Sequence, residues 1–285
     1  MKPIELDELK QIECGILRDI DQICRENGIQ YSLCGGTLLG AVRHGGFIPW
    51  DDDIDILMTR ENYEKFIRYC IDTNDLPFHL MCNETNQLYG YLFAKVMNKN
   101  TVVYELVANP HKIEYGICVD VFPVDYLGDT RKEAEKNFCR SALYRRLLDA
   151  KNWTKYFRSK TRSIVCEPIR LALFLMSRFY SEKNLIRKIE KINGKFAQKP
   201  SKFSGCITGL YGFKEILPTE LFTNLTELPF ESEHFKAFKD YDVYLRSLYG
   251  DYMKLPPEEK RITHHMFEAY WKDDAEDNLE KNILF

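Results

Sequence analysis

The residues of this sequence best suited to chemistry are the aspartates of the segment 51–56, DDDIDI. Its second half alternates acidic and apolar residues, which is the pattern of a β-strand, so Asp53 and Asp55 should point to one face while Ile54 packs on the other. Two carboxylates on one rigid face suit Mg²⁺ or Mn²⁺, hard cations that are held by few protein oxygens and the phosphates of a substrate. The segment therefore predicts a divalent metal site.

A glycine pair lies upstream of these acids, where a predicted strand (29–34) turns into a short predicted helix. Gly35 and Gly36 let the backbone approach a ligand closely. Thr37 is predicted to cap the helix, whose first free N–H groups favour an anion such as phosphate. A phosphate site next to a metal site predicts phosphoryl-group chemistry.

Two other interpretations of the acidic segment have to be weighed. A solvated acidic turn is disfavoured because the segment continues into an apolar strand, where an ionised carboxylate needs a partner. An EF-hand loop is suggested by Asp51, Asp53 and Asp55, which match its first three ligand positions. However, Ile56 stands where that loop requires glycine and Asn62 where it requires the bidentate Glu. We therefore retain the two-carboxylate metal site.

The whole segment 35–56, GGTLLGAVRHGGFIPWDDDIDI, resembles the signature of the LicD family. That family belongs to the DNA polymerase beta-like nucleotidyltransferase superfamily, is related to the fukutin-type proteins and includes bacterial phosphorylcholine transferases. Residues 93–96 (FAKV), 119–125 (VDVFPVD) and 249–261 (YGDYMKLPPEEKR) are similar to further landmarks of the family. The resemblance spans residues 30–265, so it covers a whole domain.

The superfamily pattern implies a third carboxylate on a later strand. Asp120 is the best candidate, since Val119 and Val121 flank it as predicted buried strand residues. Its implied task is that of a general base on the acceptor hydroxyl or of a metal ligand. A structural acid with a satisfied partner is the alternative, and Asp125, which follows Pro123, is a second candidate.

The resemblance also implies residues that bind the donor. Lys95, in an apolar predicted strand, is expected to reach a phosphate, although a lysine at a sheet edge is the alternative. Arg43 and His44 end the predicted helix after the glycine pair, and cationic capping of that helix is an equally good interpretation.

Further candidates lie at the edges of the predicted site. Trp50 has the chemistry to stack on a base or to enclose a quaternary ammonium, with a packed aromatic as the simpler alternative. Arg261, His264 and His265 follow the Pro256-Pro257 turn, and they either close over the donor or form a solvated tail.

The resemblance implies transfer of a phosphocholine-type group from CDP-choline or a related CDP-linked donor to a hydroxyl of a cell-surface glycan of the teichoic acid, capsule or lipopolysaccharide type, with release of CMP. Phosphoethanolamine and glycerol phosphate remain open as the transferred group. Nucleotidyl transfer to a small molecule or a protein is the first alternative function. A D-x-D glycosyltransferase is the second, disfavoured because the glycine turn comes so soon before the acids.

The composition narrows the class of protein. The formal net charge of −3 over 285 residues gives no general attraction to nucleic acid. The nine cysteines have no C-x-x-C pairs, and no signal peptide or apolar run long enough to span a bilayer is visible. We therefore expect reduced thiols, no structural zinc and a cytoplasmic protein.

The predicted fold class is α/β (α+β), a nucleotidyltransferase-like mixed sheet with a helical insertion. We expect a catalytic core at 1–129, a helical basic and apolar subdomain at 130–200, and a segment at 201–285 that completes the active site. Strands are predicted at 79–82, 91–97, 101–106 and 116–122, with a hairpin turn at Asn98–Asn100.

Two longer helices are predicted outside the candidate site. Residues 6–27 have the apolar spacing of an amphipathic helix. Residues 164–180 are apolar around most of a helix that begins near Pro168, and they follow the basic stretch 131–163. This second helix is predicted either to lie in the core of the subdomain or to make a peripheral contact with an anionic membrane.

Overall fold

The structure, a computed structural model, describes residues 1–105, 113–158, 163–261 and 267–272. The α-helices of this part are α1 (Leu6–Glu26), α2 (Gly35–His44), α3 (Arg60–Asp72), α4 (Arg131–Arg140), α5 (Ala142–Asn152), α6 (Glu167–Ser177), α7 (Glu182–Asn193), α8 (Thr219–Thr223) and α9 (Tyr241–Tyr249). The strands are β1 (Lys2–Pro3), β2 (Ser32–Leu33), β3 (Ile54–Thr59), β4 (Phe78–Met81), β5 (Ala94–Asn98), β6 (Thr101–Glu105), β7 (Cys118–Gly128), β8 (Phe203–Gly205), β9 (Leu217–Pro218), β10 (Leu225–Phe230), β11 (Glu233–Phe238) and β12 (Phe267–Trp271).

The main sheet has the strand order β2-β3-β7-β5-β4. The central pair, β3 and β7, is parallel, and the other pairs along this order are antiparallel. The second half of β7 continues beyond β3 and pairs with β8, which in turn pairs with β9. This mixed sheet with helices packed on it confirms the predicted α/β class.

The pairing register places three charged residues in one row across the centre of the sheet. Asp55 of β3 is opposite Asp120 of β7, and Asp120 is opposite Lys95 of β5. Their neighbours along each strand are fully buried in the hydrophobic core: Ile54, Ile56, Ala94, Val96, Val119 and Val121. Because side chains alternate along a strand, the charged row lies on the opposite, more open face.

Helix α1 confirms the amphipathic segment predicted at 6–27 and ends before Gly28, which has φ +63°. It packs on β5 and β7 through the stripe Leu9, Ile16 and Ile20. Glu13 lies on the same stripe, one turn from Leu9, and is buried with it. The helix therefore carries a carboxylate into the protein as well as apolar side chains.

The predicted hairpin at Asn98–Asn100 is wrong as a strand pairing. The turn exists, with the Asn100 N–H donating to Asn98 Oδ1 at 2.8 Å. However, β5 stays in the main sheet, whereas β6 pairs with β12, and β12 pairs with β1. A turn signal gives the position of a chain reversal, but the partner of the outgoing strand lies more than 160 residues away in the sequence.

Residues 131–193 are mostly helical, as predicted, and contribute a separate apolar cluster between α5 and α7. The predicted helix 164–180 is α6, preceded by a 3₁₀ turn at Ile164–Cys166, and Pro168 is in its first turn as expected. The proposed boundaries at 129 and 200 remain predictions. Among the described helices, none is long and apolar enough to cross a membrane.

Candidate active site

The acidic segment lies against the beginning of α2. An added Cβ at Gly36 would be 2.6 Å from Asp51 Oδ2, so only glycine leaves room for that carboxylate. Gly35 has φ +53°, a conformation that favours glycine, and its N–H donates to the Tyr244 hydroxyl at 3.3 Å. The N terminus of a helix favours negative charge, and Asp51 places a carboxylate there.

Thr37 does not cap α2, and this prediction is wrong. The helix begins at Gly35 with Cys34 in the N-cap position, so Thr37 lies inside its first turn. The buried Thr37 hydroxyl instead accepts the Asp55 N–H at 2.8 Å. The side chain thus ties the glycine turn to the strand that carries Asp55, which fixes the predicted phosphate site relative to the predicted metal site.

Several carboxylates converge at the start of β3. Oxygens of Asp51, Asp52 and Asp53 lie within 4.8 Å of one another. Burial raises the pKa of Asp55 well above its usual value, and the negative charges of Asp53 and Asp120 raise it further. The three acids predicted from the sequence are therefore in electrostatic contact, and a cation would stabilise their ionised forms.

The residues available to a metal ion fit Mg²⁺ or Mn²⁺, because every donor is a carboxylate oxygen. Among the described residues, the carboxylates with the shortest mutual distances are those of Asp51, Asp52 and Asp53. The predicted set was Asp53, Asp55 and Asp120. Asp55 and Asp120 are fixed by strand pairing, whereas Asp51 and Asp52 lie in the segment before β3.

Lys95 and Asp120, predicted separately, are each other's partners. Lys95 Nζ lies 2.7 and 2.9 Å from the two carboxylate oxygens of Asp120, and the side chains are 13% and 18% exposed. Burial opposes the charge on Lys95, yet Asp120 holds the pKa of Lys95 well above its usual value. Lys95 is therefore a fixed positive charge beside the acids.

Asp125 belongs to a different environment. It is 2% exposed and forms a two-point ion pair with Arg60 of α3, at 2.6 and 3.0 Å. In the alternation along β7 it falls with the core-facing residues rather than with Asp120. The structure thus separates Asp125 from the acidic cluster.

The sequence-based reasoning missed Glu13. This carboxyl is 3% exposed, and in the described part of the chain its Oε2 has no hydrogen-bond partner. With Asp53, Asp120 and Lys95 it lines a cavity of about 100 Å³. Burial, and then the charge of Asp53, raises its pKa well above the usual value. A glutamate within the apolar stripe of α1 was the available sequence signal.

Arg43 connects α2 to the landmark segment 249–261. Its guanidinium donates to the Tyr252 carbonyl at 2.7 Å, and its Nε to His44 Nδ1 at 3.4 Å. The C-cap position belongs to Gly45, so capping by Arg43 is not needed. Contact of Arg43 with the donor remains a prediction.

Trp50 contacts two of the candidate residues, His44 and Arg261. The His44 ring approaches it edge-on at 6.4 Å, and the Arg261 guanidinium lies over it at 5.8 Å. Arg261 also donates to the Pro256 carbonyl. His264 and His265 lie outside the described residues, so their predicted place over the donor stays a prediction.

Two tyrosines border the acids and were also missed. The hydroxyl of Tyr211 donates to that of Tyr249 at 2.9 Å. Burial raises the pKa of both phenols, and the charge of Asp55 contributes to each shift, which places the pair near β3. The Tyr211 N–H in turn donates to buried Glu215 at 2.8 Å.

An aromatic surface extends from Lys95 toward the helical region. Lys95 Nζ is 5.4 Å from the Phe93 ring, which is 4.4 Å from Phe122. Phe93 also lines a cavity of about 540 Å³ that reaches Arg145 and Arg146 of α5. This cavity gives a large ligand a place next to the charged row.

Comparison with known proteins agrees with this geometry. The sequence model of the LicD/FKTN/FKRP nucleotidyltransferase domain matches residues 28–134, which contain the glycine turn and all the predicted acids. The lipopolysaccharide cholinephosphotransferase LicD of Haemophilus influenzae is 30% identical over 276 residues, 95% of this chain and 99% of that protein. The ribitol 5-phosphate transferase FKRP of Homo sapiens is 62% identical over 29 residues, 10% of this chain and 6% of its own.

These similarities define the class of protein as a transferase of phosphorus-containing groups. The chain belongs to the LicD family. The similarity to the Haemophilus protein runs over nearly the full length of both chains, so it includes the helical region as well as the nucleotidyltransferase domain.

Proposed function

We propose that this protein transfers a phosphocholine-type group from a CDP-linked donor to a hydroxyl of a cell-surface glycan, of the teichoic acid, capsule or lipopolysaccharide type. The observation that carries the proposal is the row of Asp55, Asp120 and Lys95 beside the N terminus of α2. It places carboxylates and a fixed cation beside the N terminus of a helix, as phosphoryl transfer requires. The full-length similarity to a cholinephosphotransferase supports the choice of group.

Asp53, Asp55 and Asp120 are the residues that we assign to Mg²⁺ or Mn²⁺. Bound there, the ion would neutralise charge on the donor diphosphate. Glu13 is a fourth carboxylate directed into the same small cavity, and its unpartnered Oε2 supports a role in holding the ion, directly or through water. Among the neighbouring acids, Asp53 contributes most to the raised pKa of Glu13.

The protein's own groups would then bind and orient the reactants. The Gly35–Gly36 turn, the N–H groups beyond it and the ammonium of Lys95 would bind the diphosphate oxygens. The acceptor hydroxyl attacks the choline-side phosphorus, the bond from that phosphorus to the CMP oxygen breaks, and CMP leaves. Asp120 takes the hydroxyl proton, and the Lys95 contact keeps its carboxylate in place.

The cavity of about 540 Å³ beside Phe93 is the place that we assign to the acceptor. Aromatic rings suit the apolar faces of sugars, and Arg146 on its wall offers donors for polar substituents.

Nucleotidyl transfer is the second candidate, because the matched family model is that of a nucleotidyltransferase domain. The same residues would then direct attack at the nucleotide phosphorus, and pyrophosphate would leave.

The location that we propose is the cytoplasm, supported by nine cysteines that are all free.

A thermal-shift panel tests the donor class. CDP-choline, CDP-ethanolamine, CDP-glycerol, CTP and UDP-sugars are compared with Mg²⁺ present. A ligand at a hundred times its Kd stabilises the folded state by about 2.7 kcal/mol. We expect CDP-choline to raise the melting temperature most. A larger shift with CTP favours nucleotidyl transfer, and one with UDP-sugars contradicts the proposal.

A further inference from the structure

Helix α6 has one face covered by protein. Phe174 is stacked on Trp153 at 6.3 Å, and Leu173 packs on the cluster between α5 and α7. Ser177 is fully buried, and Arg178 donates to carbonyls at the end of α5. These contacts fix the orientation of the helix on the molecule.

The opposite face is apolar and open to solvent. Val165 is 77% exposed and Phe179 is 87% exposed, at the two ends of the helical segment. Between and beside them, at spacings that belong to one side of a helix, lie further exposed apolar residues: Ile164, Ile169, Leu171, Leu175 and Met176. A contiguous exposed apolar surface of this kind marks an interaction site.

The surroundings of this face are positively charged. Residues 131–200 contain 19 Lys and Arg against 6 Asp and Glu, a net charge of +13, whereas the rest of the chain carries −16. Lys155 and Arg158, both exposed, belong to the segment that packs beside α6. Glu167, the acidic residue of α6, is paired with Arg170 and accepts from Tyr156.

We propose that the exposed face of α6 docks this protein on an anionic lipid bilayer. Its apolar side chains would enter the interface while Lys155, Arg158 and the neighbouring cations meet the lipid headgroups. The charge complementarity favours lipid over a second copy of the chain, because a symmetric dimer would bring two basic regions together. The contact would be peripheral and does not depend on which donor the enzyme uses.

Vesicle flotation tests this proposal with the full chain. Vesicles of phosphatidylcholine alone are compared with vesicles that also contain phosphatidylglycerol, at about 0.1 M and about 1 M salt, where the Debye length falls from about 10 Å to about 3 Å. The double variant Val165→Asp/Phe179→Asp is compared with Leu88→Asp/Val243→Asp. The control adds the same charge at two apolar residues that are about half exposed elsewhere on the surface.

We expect the wild-type protein and the control to float with anionic vesicles at low salt and to dissociate at high salt. The α6 variant should bind at least about tenfold more weakly, since its substitutions put carboxylates into the interface. A readout without substitutions is amide hydrogen exchange of the wild-type protein, which should slow at 164–179 when anionic vesicles are added.

Absence of the wild-type protein from anionic vesicles overturns the proposal, as does equal binding by the α6 variant and the control. Unchanged exchange at 164–179 in a vesicle-bound protein shows that another surface docks, which also overturns it. A dimer in sedimentation that only the α6 substitutions convert to monomer assigns the face to a second copy instead.

Discussion

At the level of single residues, the candidate active site is a cluster of partly buried carboxylates beside one buried lysine. Six carboxylates lie close enough to influence one another: Glu13, Asp51, Asp52, Asp53, Asp55 and Asp120. Lys95 forms an ion pair with Asp120. Like charges held together in a partly buried place oppose ionisation, which is seen in the raised pKa values of Glu13 and Asp55. Such a cluster is costly to the apo protein and favours binding of a divalent cation.

Asp53→Asn and Asp55→Asn should each abolish measurable transfer. We expect turnover to fall about a thousandfold or more, since loss of one preorganised charge-stabilising group alone can cost about that much. Neither change should lower the melting temperature of the metal-free protein, since each removes a repulsive charge. Turnover and thermal unfolding are measured beside Asp72→Asn, an exposed acid of α3. Folded variants with near wild-type turnover would refute the role of these acids.

Asp120→Asn should lower turnover at least about a hundredfold, the low end for a positioned general base. It also leaves buried Lys95 unpaired, which should cost about 3 kcal/mol or more in the free energy of unfolding. The double variant Lys95→Met/Asp120→Asn separates the two effects, because it removes both charges. We expect it to regain stability in urea unfolding but not activity. Recovery of turnover in the double variant would make Asp120 a structural residue.

Glu13→Gln should weaken Mn²⁺ binding roughly tenfold or more, as loss of a residue that supports a metal site does. Mn²⁺ binding is followed by electron paramagnetic resonance, and the melting temperature without metal should not fall. Glu26→Gln, on the exposed side of the same helix, is the matched control. Unchanged Mn²⁺ affinity together with a lower melting temperature would show that Glu13 serves only the packing of α1.

The sequence allowed the roles of Asp53, Asp55 and Lys95 to be proposed because short-range patterns carry them: alternation along a strand and resemblance of adjacent motifs. The ion pair between Lys95 and Asp120 depends on the pairing of β5 with β7, and the position of Glu13 beside the acids depends on the packing of α1 on the sheet. Neither can be predicted from a local pattern. Thr37 was misassigned because the helix begins at Gly35, three residues before the start that a cap at Thr37 would require.

At the scale of elements, the loop from Cys206 to Glu215 positions Tyr211 near the acids. Burial raises the pKa of Glu215 to about 7, and the Tyr211 N–H, which favours the ionised carboxylate, opposes this only in part. The ordinary pKa is 4.5, so the folded state disfavours ionisation of Glu215. The protonated Glu215 therefore favours the folded state. Its contribution to the free energy of unfolding is complete below pH 4.5 and is lost as the pH rises to about 7.

Glu215→Gln should therefore remove the pH dependence that Glu215 gives to the free energy of unfolding. Relative to the wild type, the free energy of unfolding of this variant should rise between pH 4.5 and pH 7 by up to about 3 kcal/mol, at 1.36 kcal/mol per pKa unit. Urea unfolding at several pH values measures this, with exposed Glu220→Gln as control. A constant difference between Glu215→Gln and the wild type would contradict the assigned cause.

Many elements could be predicted, because their periodicity is local: α1, β3 and β7 all form within or near the expected segments. The partners of those elements could not. The reversal at Asn98–Asn100 is a local signal, but the pairing of β6 with β12 joins distant parts of the chain. The core or surface position of α6 likewise depended on how much of it α5 and α7 cover.

At the scale of the whole molecule, charge is separated between the helical region and the rest of the chain, +13 against −16. The net charge of −3 conceals this asymmetry, although the basic stretch 131–163 indicated it. The acidic part holds the candidate active site, and the basic part presents the exposed apolar face of α6. We therefore expect Lys95 and the proposed metal ion, rather than the overall field, to attract a phosphate-bearing donor.

The central claim is that the cleft around Asp55, Asp120 and Lys95 transfers a phosphocholine-type group. The most direct measurement is product analysis by phosphorus NMR, with CDP-choline, Mg²⁺, the protein and a glycan acceptor. We expect CMP and phosphocholine-modified acceptor in equal amounts, and neither product with Asp53→Asn. Nucleotide attached to the acceptor, with pyrophosphate released from CTP, or CMP formation that persists in Asp53→Asn, would contradict it.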